Sequence, residues 1–156
     1  MIPQDVIAHL RDNSGFVGAT LRPTVVDLQR ETALLRLDAG PELQQHFGGP
    51  HAAAIFGLGE TAAFAVLLQV FGDLLTDGDV GAGQVAPLVK RSQISFSGIA
   101  TGPLLAAATL TSPEDEARTA FAERGSLGFD IEVVFRRESD DAETARATYR
   151  MGIKRF

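Results

Sequence analysis

The sequence contains no cysteine, and this one absence excludes disulfides, thiol nucleophiles and thiolate-held metals together. It also lacks a basic block. The 14 Lys and Arg residues are scattered and outnumbered by 20 Asp and Glu, for a formal net charge of −6. That balance argues against binding to nucleic acid and leaves a small acidic or neutral ligand, or another protein, as the partner. No repeat, low-complexity tract or long linker interrupts the 156 residues, so a single domain spanning 1–156 is expected, long enough to bury a substantial core. The opening MIPQDVIAHLRDN is charged early and has no apolar h-region. No secretory signal is read there, and a cytoplasmic location is expected. The G-x-S-x-G, H-E-x-x-H and G-x-x-x-x-G-K-[ST] patterns are missing, and GLG at 57–59 lacks the third glycine of a dinucleotide site. Serine hydrolases and NTPases are set aside on that ground.

Turning to what is present, residues 3–12 place Val6, Ile7 and Leu10 on one face of a short helix behind Pro3, with His9 as a surface residue. Thr20 to Leu28 and Thr32 to Leu37 are mostly β-branched or aliphatic around the polar QRE at 29–31. They predict a hairpin with Ala33, Leu35 and Leu37 on its buried side. GDLLTDGDVGAGQ at 72–84 reads as a helix stop and a mobile connection. Strands are expected from Leu88 to Phe96 and from Leu104 to Thr111, separated by the glycine-rich break SGIATGP at 97–103. SPEDEARTAFAERG at 112–125 predicts a short helix outside the core, with Ser112 as N-cap, Pro113 at the first helical position and Gly125 as the stop. The last third carries strict alternation: Phe129, Ile131, Val133 and Phe135, then Ala145, Ala147, Tyr149, Met151 and Ile153, joined by the polar turn ESDDAE. This is an antiparallel hairpin whose outer acids meet arginines across the strands.

HFGGPHAAAIFGLGETAAF at 46–64 is different in kind. Ala52 to Leu75 is too long for a strand and apolar all round, so it predicts a buried helix. A membrane span is the competing reading. Only 17 residues separate His51 from Gln69, and Glu60 at mid-span would cost about 2.5–3.5 kcal/mol on insertion scales, which disfavours it. Gly57 and Gly59 each sacrifice about 1 kcal/mol of helix propensity, so something packs closely there. A lone carboxylate in such a helix is costly unless it is paired or used. Glu60 is therefore a candidate catalytic group, against a structural hydrogen-bonded role. His46 and His51 flank the helix start. The three groups do not make a convincing metal site.

Two strands, one long apolar helix and four further strands describe an α+β domain with a curved six-stranded antiparallel sheet wrapped around a central helix. Here the sequence resembles the hotdog-fold acyl-CoA thioesterases, close to the phenylacetate-pathway type and a related uncharacterised branch. The similarity runs from about Gly18 to the C-terminus and centres on QHFGGPHAAAIFGLGETA. In it Gln45 falls on the family's Asn, Gly48 on its Gly, and His51 on its His. Ala52 and Ala53 fall on its Gly-Gly pair, and Glu60 on its catalytic carboxylate, where Asp is more usual. SFSGIATGPLLAAATL resembles the strand-break-strand that follows.

The resemblance implies a hydrolase acting on an acyl-CoA or acyl-carrier thioester, in a homodimer or tetramer of hotdog units. Catalytic positions would be Glu60, Gln45, His51 and His46, with Gly48, Gly49, Ala52 and Ala53 binding substrate. It implies no cofactor apart from the coenzyme A of the substrate, no metal, no nucleic acid and no membrane. Two alternatives stand beside it. HFGG with Glu60 fourteen residues after His46 is similar to the pair used by hotdog hydroxyacyl dehydratases, in which His46 would be catalytic. The alanines after His51 suit a non-catalytic acyl-CoA or lipid-binding module. Lys90, Arg91, Arg136, Arg137, Lys154 and Arg155 are candidates for coenzyme A phosphates. Glu60 and the helix start are nine residues apart, about 13.5 Å along one helix, so they are expected to meet only across a two-fold axis, with Gly57 and Gly59 easing the approach of the second subunit.

Overall fold

The computed structural model describes residues 3–76 and 81–156. Its elements, in chain order, are α1 (Pro3–Asn13), β1 (Thr24–Leu28), β2 (Thr32–Leu37), α2 (Ala52–Phe71), β3 (Val85–Phe96), β4 (Leu104–Leu110), α3 (Glu114–Arg124), β5 (Ser126–Arg137) and β6 (Glu143–Arg155). The six strands form one antiparallel sheet in the order β1-β2-β4-β5-β6-β3. It curves around α2, which packs on β2, β4, β5 and β6. This is the α+β hotdog architecture expected from the sequence.

The alternation of the last third produces the centre of the core. Leu127, Phe129, Ile131, Val133 and Phe135 of β5 are buried, as are Ala145, Ala147, Tyr149, Met151 and Ile153 of β6, while Asp130 and Glu132 face out and pair with Arg150 and Arg146 at 3.0 and 2.9 Å. The apolar side sets the register and the exposed pairs add little. α2 and its continuation to Leu74 form, among the described residues, one helix long and apolar enough to cross a membrane. Yet 78% of its most apolar window is buried inside the chain, so the sheet takes up the surface that a bilayer would otherwise cover.

Four local expectations are corrected. Thr20 to Pro23 are not strand: Phe16–Leu21 form a wide helical turn, and Arg22 takes a left-handed φ of 49°. Burial of Val17 and Leu21 decides the matter over the β-branched composition. The helix at 112–125 is not outside the core, because Ala117 and Phe121, one turn apart, are buried and α3 packs on β5. Nor does Ser112 cap it. The Ser112 hydroxyl accepts the Asp130 N–H at 2.8 Å instead, and Pro113 occupies the capping position. β3 begins at Val85, three residues earlier than expected. Of the expected apolar face of α1, Val6 is buried and Leu10 half-buried, while the Ile7 side chain lies outside the described part. Residues 77–80 of the 72–84 connection also lie outside the described residues.

Candidate active site

The segment before α2 is shaped by local hydrogen bonds. Gly48 N–H donates to Gln45 O at 3.0 Å and Gln45 N–H to Gly49 O at 2.8 Å, closing a tight turn whose Gly48 takes φ 84°. That left-handed value favours glycine. Gly49 is buried, and a Cβ there would collide with the Ala100 carbonyl. The absence of a side chain therefore lets this turn lie directly on the glycine-rich break after β3. His51 N–H donates to Leu43 O at 2.7 Å, tying the helix start back to the short turn at Pro41–Leu43.

His51 is the N-cap of α2: its Nδ1 accepts the Ala53 N–H at 3.0 Å. The cap satisfies one of the orphan donors of the helix start. The His51, Gly48 and Ala53 N–H groups are thus already engaged. Among the described residues Ala52, exposed at the first helical position, keeps its N–H without a partner. His46 is exposed, its ring 3.9 Å from that of Phe47, and the Gln45 side chain makes no hydrogen bond among the described residues. The fold accordingly brings Gln45, His46, Gly48, Gly49, His51, Ala52 and Ala53 together at one end of α2.

Glu60 is not with them. Eight residues on from Ala52, it sits about 12 Å along the helix. It is half-buried, and its carboxylate has no hydrogen bond or ion pair among the described residues. Desolvation pushes its pKa above the ordinary carboxylate value. It lines a cavity of about 800 Å³ whose walls include Leu10, Phe16, Phe64, Leu68, Val85 and Pro87. No group of metal-ligating side chains exists among the described residues.

Two neighbours of Glu60 escaped the sequence reading. Tyr149, fully buried on β6, donates its hydroxyl to the Phe56 carbonyl at 2.7 Å. Burial first, and then the Glu60 charge, push its pKa up and keep it a donor. Thr61 donates to Gly57 O at 2.7 Å. The only available signal for Tyr149 was the chain's single tyrosine standing in line with the apolar Ala145, Ala147, Met151 and Ile153 of its strand. The close packing expected at Gly57 and Gly59 is present, but the chain's own side chains supply it. A Cβ at 57 would meet Phe16, and one at 59 would meet Tyr149 and Phe135. These glycines are therefore filled from within the subunit, which removes the role suggested for them in a subunit approach.

The basic residues do not converge. Arg136 and Arg137 pair with Glu143 and Asp140, Arg155 stacks on Phe121 and Lys154 on Phe156, and Lys90 donates to Leu127 O. Arg91, exposed at a bulge of the edge strand β3, has no acidic partner among the described residues. Nearer the helix start, Phe47, Phe96 and Ile99 are 71%, 50% and 62% exposed, an apolar surface around the turn and the break.

A family model described as "Domain of unknown function (DUF4442)" matches residues 16–153. No curated protein matches in sequence. Among solved structures, a Pseudomonas aeruginosa protein described as a "Protein of Unknown Function" and "Probable Thioesterase" superposes with a TM-score of 0.75 at 21% identity, covering 98% of this chain and 96% of its own. A mutant of a thioesterase enzyme from Staphylococcus aureus gives 0.66 at 14% identity, over 90% and 99% of the two chains. A mutant thioesterase from Pseudomonas aeruginosa gives 0.68 at 15%, over 100% and 96%. At such identities the likeness establishes the fold.

Proposed function

We propose that this chain, which belongs to the DUF4442 domain family and to the hotdog thioesterase-like superfamily, is a cytoplasmic thioesterase that hydrolyses an acyl-CoA or acyl-carrier thioester. The observation that carries the reading is Glu60: an unpaired, half-buried carboxylate on the central helix, facing a cavity, with its pKa raised by desolvation. A structural carboxylate needs a partner to repay its burial. Glu60 has none within the described chain, and a raised pKa suits a general base.

The reaction needs a base for water and a donor for the oxyanion. Glu60 takes a proton from water as the water oxygen bonds to the thioester carbon, and the carbonyl electrons move onto oxygen. The Ala52 N–H, at the positive end of α2, stabilises that oxyanion. Collapse of the tetrahedral intermediate re-forms the carbonyl and breaks the C–S bond, and Glu60 returns the proton to the departing thiolate. Gln45 holds the water or the carbonyl. Because Ala52 and Glu60 of one chain stand about 12 Å apart, the working site is built by two subunits related by a two-fold axis, with Glu60 of one facing the helix start of the other. The exposed Phe47, Phe96 and Ile99 support burial of that surface against a second copy. No cofactor is required beyond the coenzyme A of the substrate.

The test is hydrolysis of a panel of acyl-CoA esters by purified protein, with Glu60→Gln as control. Turnover lost in the variant supports the thioesterase. Binding without turnover points to an acyl-binding module, and hydration of an enoyl-CoA to a dehydratase using His46 and Glu60.

A further inference from the structure

The cavity at Glu60 has a direction. Its floor is α2 and the turn that continues it, along which Glu60, Phe64, Leu68 and Gly72 succeed one another at intervals of four residues. Each step advances about 6 Å and turns about 40°, so the line crosses the helix obliquely over about 18 Å. One wall is the N-terminal segment, which contributes Leu10 from α1 and Phe16 and Val17 from the turn after it. The other is the start of edge strand β3, with Val85 and Pro87. The family match begins at Phe16, so α1 is a wall added from outside the matched segment. The volume, about 800 Å³, lies within the range of roughly 300–1,000 Å³ usual for small-molecule sites. The carboxylate stands at one end of the helix line and Phe64, Leu68 and Leu75 follow along it, with polar groups of Asn13, Thr76 and Gln84 at the margins, an order that fits an acyl thioester with its carbonyl at Glu60 and its tail running toward Leu75.

Resting on the thioesterase reading above, we propose that this trough is the acyl subsite, and that it makes the protein selective for unbranched aliphatic chains of about ten to fourteen carbons over short or aryl acyl groups. The length follows from geometry: a 1.52 Å bond and an angle near 111° advance an extended chain about 1.25 Å per carbon, so about 18 Å takes about fourteen. An aryl group occupies only the first turn, between Glu60 and Phe64, and leaves Leu68 and Leu75 uncovered.

Gly72 provides a clean test. It carries an ordinary helical φ of −59°, and a Cβ there would meet nothing within 4 Å. Gly72→Leu therefore adds a side chain at the trough lining without straining the backbone and with open space at its Cβ. For the native protein, kcat/KM should climb about two- to fourfold per added methylene from butanoyl- to tetradecanoyl-CoA and then level. In Gly72→Leu, the ratio of kcat/KM for tetradecanoyl-CoA to that for hexanoyl-CoA should fall about tenfold or more. Equal rates across the series, preference for phenylacetyl-CoA, or a uniform loss in the variant overturns the subsite and leaves the thioesterase standing. Should no thioester turn over, calorimetric titration with tetradecanoate decides the matter. Binding that Gly72→Leu weakens supports the subsite while the thioesterase reading falls, and no binding overturns it.

Discussion

Gly59 on the central helix lies directly beneath Tyr149 of β6, so that any Cβ at 59 would run into the Tyr149 ring and hydroxyl and stand 2.5 Å from Phe135 Cζ. The contact presses α2 onto the sheet one residue before Glu60. It also keeps the Tyr149 hydroxyl on the Phe56 carbonyl. Helix propensity alone favours alanine by about 1 kcal/mol. Overpacking a filled core costs typically about 1–3 kcal/mol, and both ring and hydroxyl are fully buried, so packing wins. Gly59→Ala is expected to destabilise by about that amount in a urea melt.

Gly57 makes the opposite case. A Cβ there would stand 2.7 Å from Phe16 Cε1, but Phe16 is 47% exposed and its ring has room to swing away. Gly57→Ala should therefore be neutral or stabilising by up to about 1 kcal/mol. The pair separates close packing that is locked from close packing that yields, and equal destabilisation by both substitutions would contradict the distinction.

Burial raises the Glu60 pKa, and two pH effects follow. The folded state favours the neutral acid, so this group's contribution to stability is complete below the unfolded value of about 4.3 and is lost as pH rises through the raised folded pKa. Glu60→Gln should accordingly raise Tm at neutral pH, with the gain vanishing in acid. For the reaction the sign reverses, since the base must be ionised. kcat/KM should rise with pH through a pKa above the unperturbed value of about 4.3, and Glu60→Gln should cut it by about 10²–10⁴-fold. A rate flat across that range would remove Glu60 from the mechanism.

The elements that could be read from sequence are those in which burial repeats with a fixed period. Phe129 to Phe135 and Ala145 to Ile153 alternate because one face of each strand is core, and Ala52 to Phe71 is apolar all round because the sheet surrounds it. Where a single tertiary contact outweighed local preference, the pattern misled. Thr20 and Leu21 look like strand, but Leu21 is needed beneath α2. Phe121 is one apolar residue in a charged helix, yet it anchors α3 to the sheet. Glu60 stood out because charge is rare in such a helix. Tyr149 and the α1 wall did not, since their relation to Glu60 spans long stretches of chain and leaves no local trace.

Ala52 allows a direct test of the shared site. It is the first helical residue, where proline is well tolerated because the missing N–H has no helical partner. His51 already has the extended backbone, φ −64° and ψ 148°, that a following proline requires. Ala52→Pro thus deletes the oxyanion donor while leaving the His51 cap on Ala53 in place. It should lower kcat by about 10²–10³-fold with little change in Tm. Two-subunit sites make a stronger demand. In a heterodimer of Glu60→Ala with Ala52→Pro, one site receives both defects and the other receives the intact Glu60 of one chain and the intact Ala52 of its partner. Each parent is inactive, yet the heterodimer should recover half the wild-type rate. If base and donor came from one chain, both sites would carry a defect and nothing would return. An active monomer, or purified heterodimers that stay silent, would overturn the shared site.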